Sequence, residues 1–168
     1  PSNRAKIKKS SCFIAAFNSP GQVVIAGAKA AVERATEVAR ARGARRAVML
    51  EVSAPFHCSL MLPAQQRLAA DLQSIRLVPP RVPVVCNVSS TPLSSVEEVR
   101  DALIRQVTAA VRWTDNLRWL ADAGAAQYVE VGPGKVLAGL AKRTLEKPTI
   151  RSVQGPADVA ALLAAAAS

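Results

Sequence analysis

The sequence predicts a mixed α/β chain, and three observations carry that reading. Residues 11–27 spell an antiparallel hairpin, with "SCFIAAF" and "QVVIAG" flanking the turn "NSPG". From residue 82 onward, strand patterns alternate with helical ones, the order of a parallel layer covered by helices. Half of the 168 residues are apolar but aromatics make up 4%, so the core must rest on Val, Leu, Ile and Ala.

Each element has its own local reason. "SCFIAAF" is β-branched, aromatic and apolar, and Asn18, Ser19, Pro20 and Gly21 each favour a turn. Residues 28–43, "AKAAVERATEVARARG", set Ala31, Ala35, Val38 and Arg42 on one helical face, with Gly43 as the stop. "RRAVMLEVS" predicts a third strand. Hairpin, helix and strand together make a small α+β unit without its first elements. In "LMLPAQQRLAADLQSI", Leu60, Ala64, Leu68 and Leu72 recur at the helical period, and "VPVVCNV" predicts a short buried strand. "SSVEEVRDALIRQVTAAV" opens with Ser95 and Glu98, an S-x-x-E capping box. Val96, Val99, Leu103, Val107 and Val111 mark its apolar face. Thr114 is placed to cap a helix over "DNLRWLADAG". "AQYVEV" is a strand, "GPGK" a tight turn, "VLAGLAKRTL" a helix, "TIRSV" a strand, and an Ala-rich helix starts at Pro156.

Composition narrows the function classes. No apolar run approaches the ~18 residues that span a bilayer, and "PSNRAKIKKS" is not followed by the apolar stretch of a secretory signal. Reduced thiols and a cytoplasmic setting follow as the default. Pro1 in place of Met suggests a fragment or processed chain, whereas the Ala-rich end at Ser168 reads as terminal. Cys12, Cys58 and Cys86 are far apart, and without a CxxC or Cys/His cluster a metal site is not expected. The net charge of +10 admits a solvated basic surface, a nucleic-acid footprint or attraction to an acidic protein. Against nucleic acid, Lys and Arg are scattered singly, with "KIKK" and "RARGARR" the dense exceptions.

Two stretches invite chemistry. "VGPGKVLAGL" lacks both G-x-x-x-x-G-K-[ST] and G-x-G-x-x-G spacing, so a strand-to-helix turn is the better reading than a phosphate loop. "VSAPFHCSLM" holds the single histidine, His57, between an apolar extended run and a helix start. A packed core residue, a metal ligand and a proton carrier are the options, and no second ligand stands at helical or loop spacing. A neutral imidazole on a loop behind a Pro-restricted residue can take a proton from a nucleophile and return it to a leaving group. The chain has no G-x-S-x-G elbow, so the serine for such a base would lie outside these residues. Cys58 reads as a small buried residue.

"FNSPGQVVIAG", "VSAPFHCSLM", "LIRQV", "VRW" and "YVEVGPGKVLAGLAKR", in this order, closely resemble the malonyl-CoA:acyl-carrier-protein transacylases. The resemblance runs from about Ser11 to beyond Arg143 and covers roughly the carboxyl-terminal half of such an enzyme. It implies a partial α/β-hydrolase-like large subdomain, residues 53–168, and the later part of a ferredoxin-like small subdomain, residues 1–52. It implies transfer of malonyl from malonyl-CoA to the pantetheine thiol of acyl carrier protein through a serine ester, with no cofactor, no membrane and no nucleic-acid partner. A polyketide-synthase acyltransferase domain and a non-enzymatic scaffold of the same fold are the alternatives.

The resemblance also implies roles for residues. His57 matches the histidine that activates the serine, and Gln106 the residue whose backbone carbonyl orients that histidine. Asn18 matches a position facing the cleft. Phe56 matches the bulky residue of malonyl-selective members, where one excluded methyl is worth ~1–3 kcal/mol of selectivity. The family's serine elbow, early glutamine loop and malonate-binding arginine have no counterpart here. Arg112 belongs to "VRW" and does not replace that arginine. Alone, these residues should be inactive and poorly stable.

Overall fold

The computed structural model describes residues 11–166; the basic opening stretch with "KIKK" lies outside them. The predicted hairpin forms as β1 (Cys12–Ser19) against β2 (Gln22–Gly27). Ser19 pairs with Gln22, which leaves Pro20 and Gly21 as a two-residue loop, and Gly21 takes φ +74. Proline presets the first turn position and glycine supplies the positive φ of the second. The register slips between Ile14 and Ala16 and again between Phe17 and Ser19. Asn18 therefore sits at a bulge, a device that re-aims a side chain.

α1 (Lys29–Ala41) follows. It ends as the sequence predicts: Gly43 has φ +89, its N–H donates to Arg40 O, and the Ala44 N–H donates to Ala39 O. These two bonds make a Schellman motif. The predicted face is only partly right, because Ala31 is buried while Val38 is 50% exposed.

Residues 45–53 are not a strand, contrary to the β-branched pattern of "RRAVMLEVS". A strand exists by pairing, and among the described residues none lies beside this segment. Val48, Leu50 and Val52 are consequently exposed. The chain then passes His57, makes one tight helical turn (Ser59–Met61) and enters α2 (Leu62–Ser74), with Pro63 in its first turn and Leu72 buried.

β3 (Val84–Val85) and β4 (Pro92–Leu93) form a two-residue antiparallel ladder, far less than "VPVVCNV" suggested. α3 (Val96–Arg105) carries the predicted capping box: Ser95 Oγ accepts from the Glu98 N–H, and Glu98 accepts from the Ser95 N–H. It stops at Arg105, so Val107 and Val111 are not on its face. Val111 instead bridges β1, donating to Ala15 O at 2.9 Å while its carbonyl accepts from the Phe17 N–H at 2.8 Å. α4 (Trp113–Asp122) begins at Trp113, and Thr114 lies inside it rather than capping it. The Thr114 hydroxyl is drawn to Phe17 O at 3.1 Å. A tertiary acceptor has won over the local cap.

β5 (Gln127–Val131) and β6 (Thr149–Val153) pair in parallel, joined by α5 (Val136–Thr144) and followed by α6 (Pro156–Ala166). The predicted parallel layer is thus realised in this pair, and β3 does not join it. β1 packs against α4 and α5, and Ala15, Ala16, Leu117, Leu140 and Ala141 are buried. Val131, at 79% exposure, and Val129 leave one face of the parallel pair open, although parallel sheets are ordinarily covered on both faces. No helix of the described residues is long and apolar enough to cross a membrane.

Candidate active site

His57 stands at the end of the extended stretch with φ +59, a left-handed backbone that non-glycine residues seldom adopt. Its neighbours hold it there. Cys58 is 1% exposed, and its thiol donates to Pro55 O at 3.1 Å. The tight turn Ser59–Met61 follows at once, the Met61 N–H donating to Cys58 O. The side chain after the histidine is thus an anchor sunk into the fold, and the imidazole is left half-buried on the other side.

Nδ1 of that ring lies 2.9 Å from the backbone carbonyl of Gln106. A carbonyl has no proton to give, so the bond requires the hydrogen on Nδ1. In the neutral ring, Nε2 then keeps its lone pair as the free acceptor. Gln106 is the residue that closes α3. Carbonyls of the last helical turn lack intrahelical donors, which leaves this one available. From Gln106 the chain runs to Val111 and Thr114, both bonded to β1 beside Asn18.

Of the four positions singled out from the sequence, the structure brings His57 and Gln106 together. Asn18 is half-buried at its bulge, and Phe56 is 47% exposed beside His57 in the chain. Neither side chain hydrogen-bonds to His57 among the described residues. Arg112 is engaged elsewhere: its guanidinium holds Asp115 at 2.9 Å.

The glycine turn has a partner that the sequence reading missed. The Glu130 carboxylate accepts from the Leu137 and Ala138 N–H groups at 2.9 and 3.0 Å. Those amides are where a phosphate would sit at the start of α5, and a built-in anion already occupies them. Glu130 precedes the turn by two positions, outside any local capping pattern, so no short motif reveals it.

Burial pushes the Cys12 thiol above its ordinary range, and the neighbouring Cys58 adds to the rise. For Cys86 burial acts the same way but is outweighed. The Ser89 hydroxyl, the amides of Ser89 and Val88, and the Arg105 charge hold it below the ordinary thiol value. Among the described residues, no group of three or more His, Cys, Asp or Glu is placed to hold a metal ion.

A family model described as the acyl transferase domain matches residues 2–165. The malonyl CoA-acyl carrier protein transacylase of Escherichia coli (strain K12) is 48% identical over 147 residues, which cover 88% of this chain and 48% of the relative. A solved type II PKS acyl-carrier protein in complex with its malonyl-transacylase superposes with a TM-score of 0.90 at 42% identity, over 96% of this chain and 52% of that one. The acyl-carrier-protein-S-malonyltransferase of Bartonella henselae gives a TM-score of 0.89 at 41% identity, over 94% and 50% of the two chains. The chain spans about half the length of the curated relatives it matches.

Proposed function

The chain belongs to the acyl transferase domain family, and from that membership we propose that it is the histidine-bearing part of a malonyl-CoA:acyl-carrier-protein transacylase. The observation that carries the reading is the 2.9 Å contact between His57 Nδ1 and Gln106 O. It leaves Nε2 as a base for an alcohol, and a carbonyl orients the ring without burying a second charge. The nucleophilic serine lies outside these residues, as do the oxyanion donors and the group that pairs with the malonate carboxylate. In support, the relatives are about twice as long, and the open face of β5 is suited to a covering layer.

The reaction has two halves. In the first, Nε2 takes the serine proton as the oxygen attacks the malonyl thioester carbonyl. The tetrahedral adduct collapses, the carbon–sulfur bond breaks, and the imidazolium returns the proton to the CoA thiolate. In the second, the pantetheine thiol of acyl carrier protein gives its proton to Nε2 and attacks the serine ester. Collapse releases the serine, which recovers the proton. The ring ends as it began, and no cofactor is consumed.

Residues 1–52 are then the later part of a ferredoxin-like subdomain, and 53–168 belong to an α/β-hydrolase-like one. Asn18 faces the substrate cleft and Phe56 disfavours branched acyl groups. The net charge of +10 suits an acidic carrier protein, and malonyl-CoA and that carrier are the partners, in a cytoplasmic setting. A second reading, supply of malonyl to a polyketide carrier, is favoured by the likeness to a transacylase solved with a type II PKS acyl-carrier protein. It changes the acceptor and not the chemistry. The test is malonyl transfer from malonyl-CoA to phosphopantetheinylated acyl carrier protein by the protein as it occurs in the cell. His57→Ala should leave the fold intact and slow transfer by several orders of magnitude. A near-normal rate would overturn the assignment.

A further inference from the structure

The carbonyl that holds His57 belongs to a turn, and a turn can swing. Residues 106–109 follow the last helical residue of α3 as a turn with uneven backbone bonds: Val107 N–H to Ile104 O at 3.4 Å, Thr108 N–H to Arg105 O at 3.2 Å and Ala109 N–H to Arg105 O at 3.0 Å. Were this stretch to wind on as α-helix, the Gln106 carbonyl would accept an amide further along the helix and let the imidazole go. Something must hold the turn in its present shape.

The Thr108 hydroxyl donates to Gln65 Oε1 at 2.7 Å, and the bond is partly buried. Gln65 lies in α2, which the tight turn Ser59–Met61 joins directly to Cys58 and His57. Among the described residues, the side-chain hydrogen bonds between the 57–74 stretch and the 105–112 segment are His57–Gln106 and Gln65–Thr108. The two bonds are rungs between the same two pieces of backbone. One piece is stiffened by a helix and the other is pinned at its far end by Val111 on β1. The second rung restrains the segment that carries the Gln106 carbonyl.

We propose that Gln65 and Thr108 are positioning residues, whose hydrogen bond fixes the Gln106 carbonyl on His57 and so selects the ring tautomer that leaves Nε2 free. The proposal rests on the reading of His57 as the base, and it assigns the pair a task beyond packing. A two-rung clamp also explains why a polar pair is kept at a half-buried helix contact, where an apolar pair would pack without needing a partner.

The test follows the ring nitrogens of His57 by two-dimensional 1H–15N NMR in the protein as it occurs in the cell, the His57 signals being those that His57→Asn removes. In the parent chain at a pH where the ring is neutral, the Nδ1-protonated form should dominate. Thr108→Val keeps the shape and removes the donor, and it should lose the single-tautomer signature, giving a mixture of both forms. Thr108→Ser restores the donor and should restore the signature. Should Thr108→Val fail to fold by circular dichroism, Gln65→Met breaks the same bond from the α2 side. If both variants unfold, the pair is merely structural and the proposal falls. An unchanged tautomer in a folded Thr108→Val chain overturns the proposal alone. A parent ring protonated on Nε2 overturns the reading beneath it.

Discussion

His57 and Gln106 meet at 2.9 Å across 49 positions of chain, and the histidine reaches the carbonyl from left-handed backbone, at φ +59. An L-residue pays about 1–2 kcal/mol for that conformation, and Asn tolerates it better than any β-branched residue. His57→Val should therefore lower stability by about 1–2 kcal/mol more than His57→Asn does, measured by urea unfolding. On the proposed role of His57, both should abolish malonyl transfer by the protein as it occurs in the cell, because neither side chain can carry the proton. Equal stabilities would mean that the backbone relaxes at this position.

The acceptor at Gln106 is main chain, so its own side chain is not what orients the ring. In Gln106→Ala, the NMR signature of the Nδ1-protonated ring should persist. A ring that switches tautomer in this variant would show that the amide side chain, and not the carbonyl, holds His57.

Gly27 closes β2 where the chain turns back across Ser11. A Cβ built there would run into the Ser11 carbonyl oxygen and the Cys12 Cα, both backbone atoms that cannot swing aside. Gly27→Ala should cost about 1–3 kcal/mol, as overpacking at a rigid contact does, and should loosen the start of β1. Faster amide hydrogen exchange at Cys12 and Phe13 is the local readout; unchanged exchange would mean that the strand end shifts freely.

How much of this was legible follows the range of the forces involved. Short-range chemistry read correctly: the Pro20–Gly21 turn, the Gly43 stop and the Ser95–Glu98 box are each set by a few neighbouring residues. "RRAVMLEVS" misread because a strand needs a partner, which no window of sequence contains. Thr114 misread because Phe17 O, distant in sequence, competes for its hydroxyl. In the site, the motif around His57 marked a residue worth weighing, but nothing local to Gln106 says that its carbonyl faces an imidazole. That expectation came through resemblance. The Gln65–Thr108 pair, 43 positions apart, was invisible for the same reason, and Glu130 sits 7 and 8 positions from the amides it holds, beyond any local capping pattern.

The three thiols should differ in reactivity. Cys86 is held below the ordinary thiol value and is partly accessible, Cys12 is raised by burial, and Cys58 is sealed in the interior. The thiolate is the reacting form, so a lowered value means that more of Cys86 is reactive at neutral pH. Alkylation by iodoacetamide at pH 7, read by peptide mass spectrometry, should label Cys86 first, then Cys12, with Cys58 labelled only on unfolding. Equal labelling of Cys86 and Cys12 would contradict the stabilising role given to Ser89 and Arg105.

The cap on α3 links stability to pH. The Ser94 amide donates to Glu98 at 2.6 Å, the Ser94 hydroxyl at 2.8 Å and the Ser95 amide at 3.2 Å. These donors hold the Glu98 carboxyl below its usual value, the Ser94 amide most strongly. Because the folded value is the lower one, the stabilisation is fully present above the unfolded carboxylate range, near pH ~4.3. It fades as pH falls through the folded value. Ser95→Ala removes the reciprocal bond to the Glu98 amide and should cost about 1 kcal/mol. Glu98→Gln should lower stability at neutrality, where the carboxylate contributes, and flatten the acid limb below pH ~4.3, so that the two profiles converge as pH falls. If the parent and Glu98→Gln chains lost stability in parallel on acidification, the carboxylate would not be the group that couples this helix to pH.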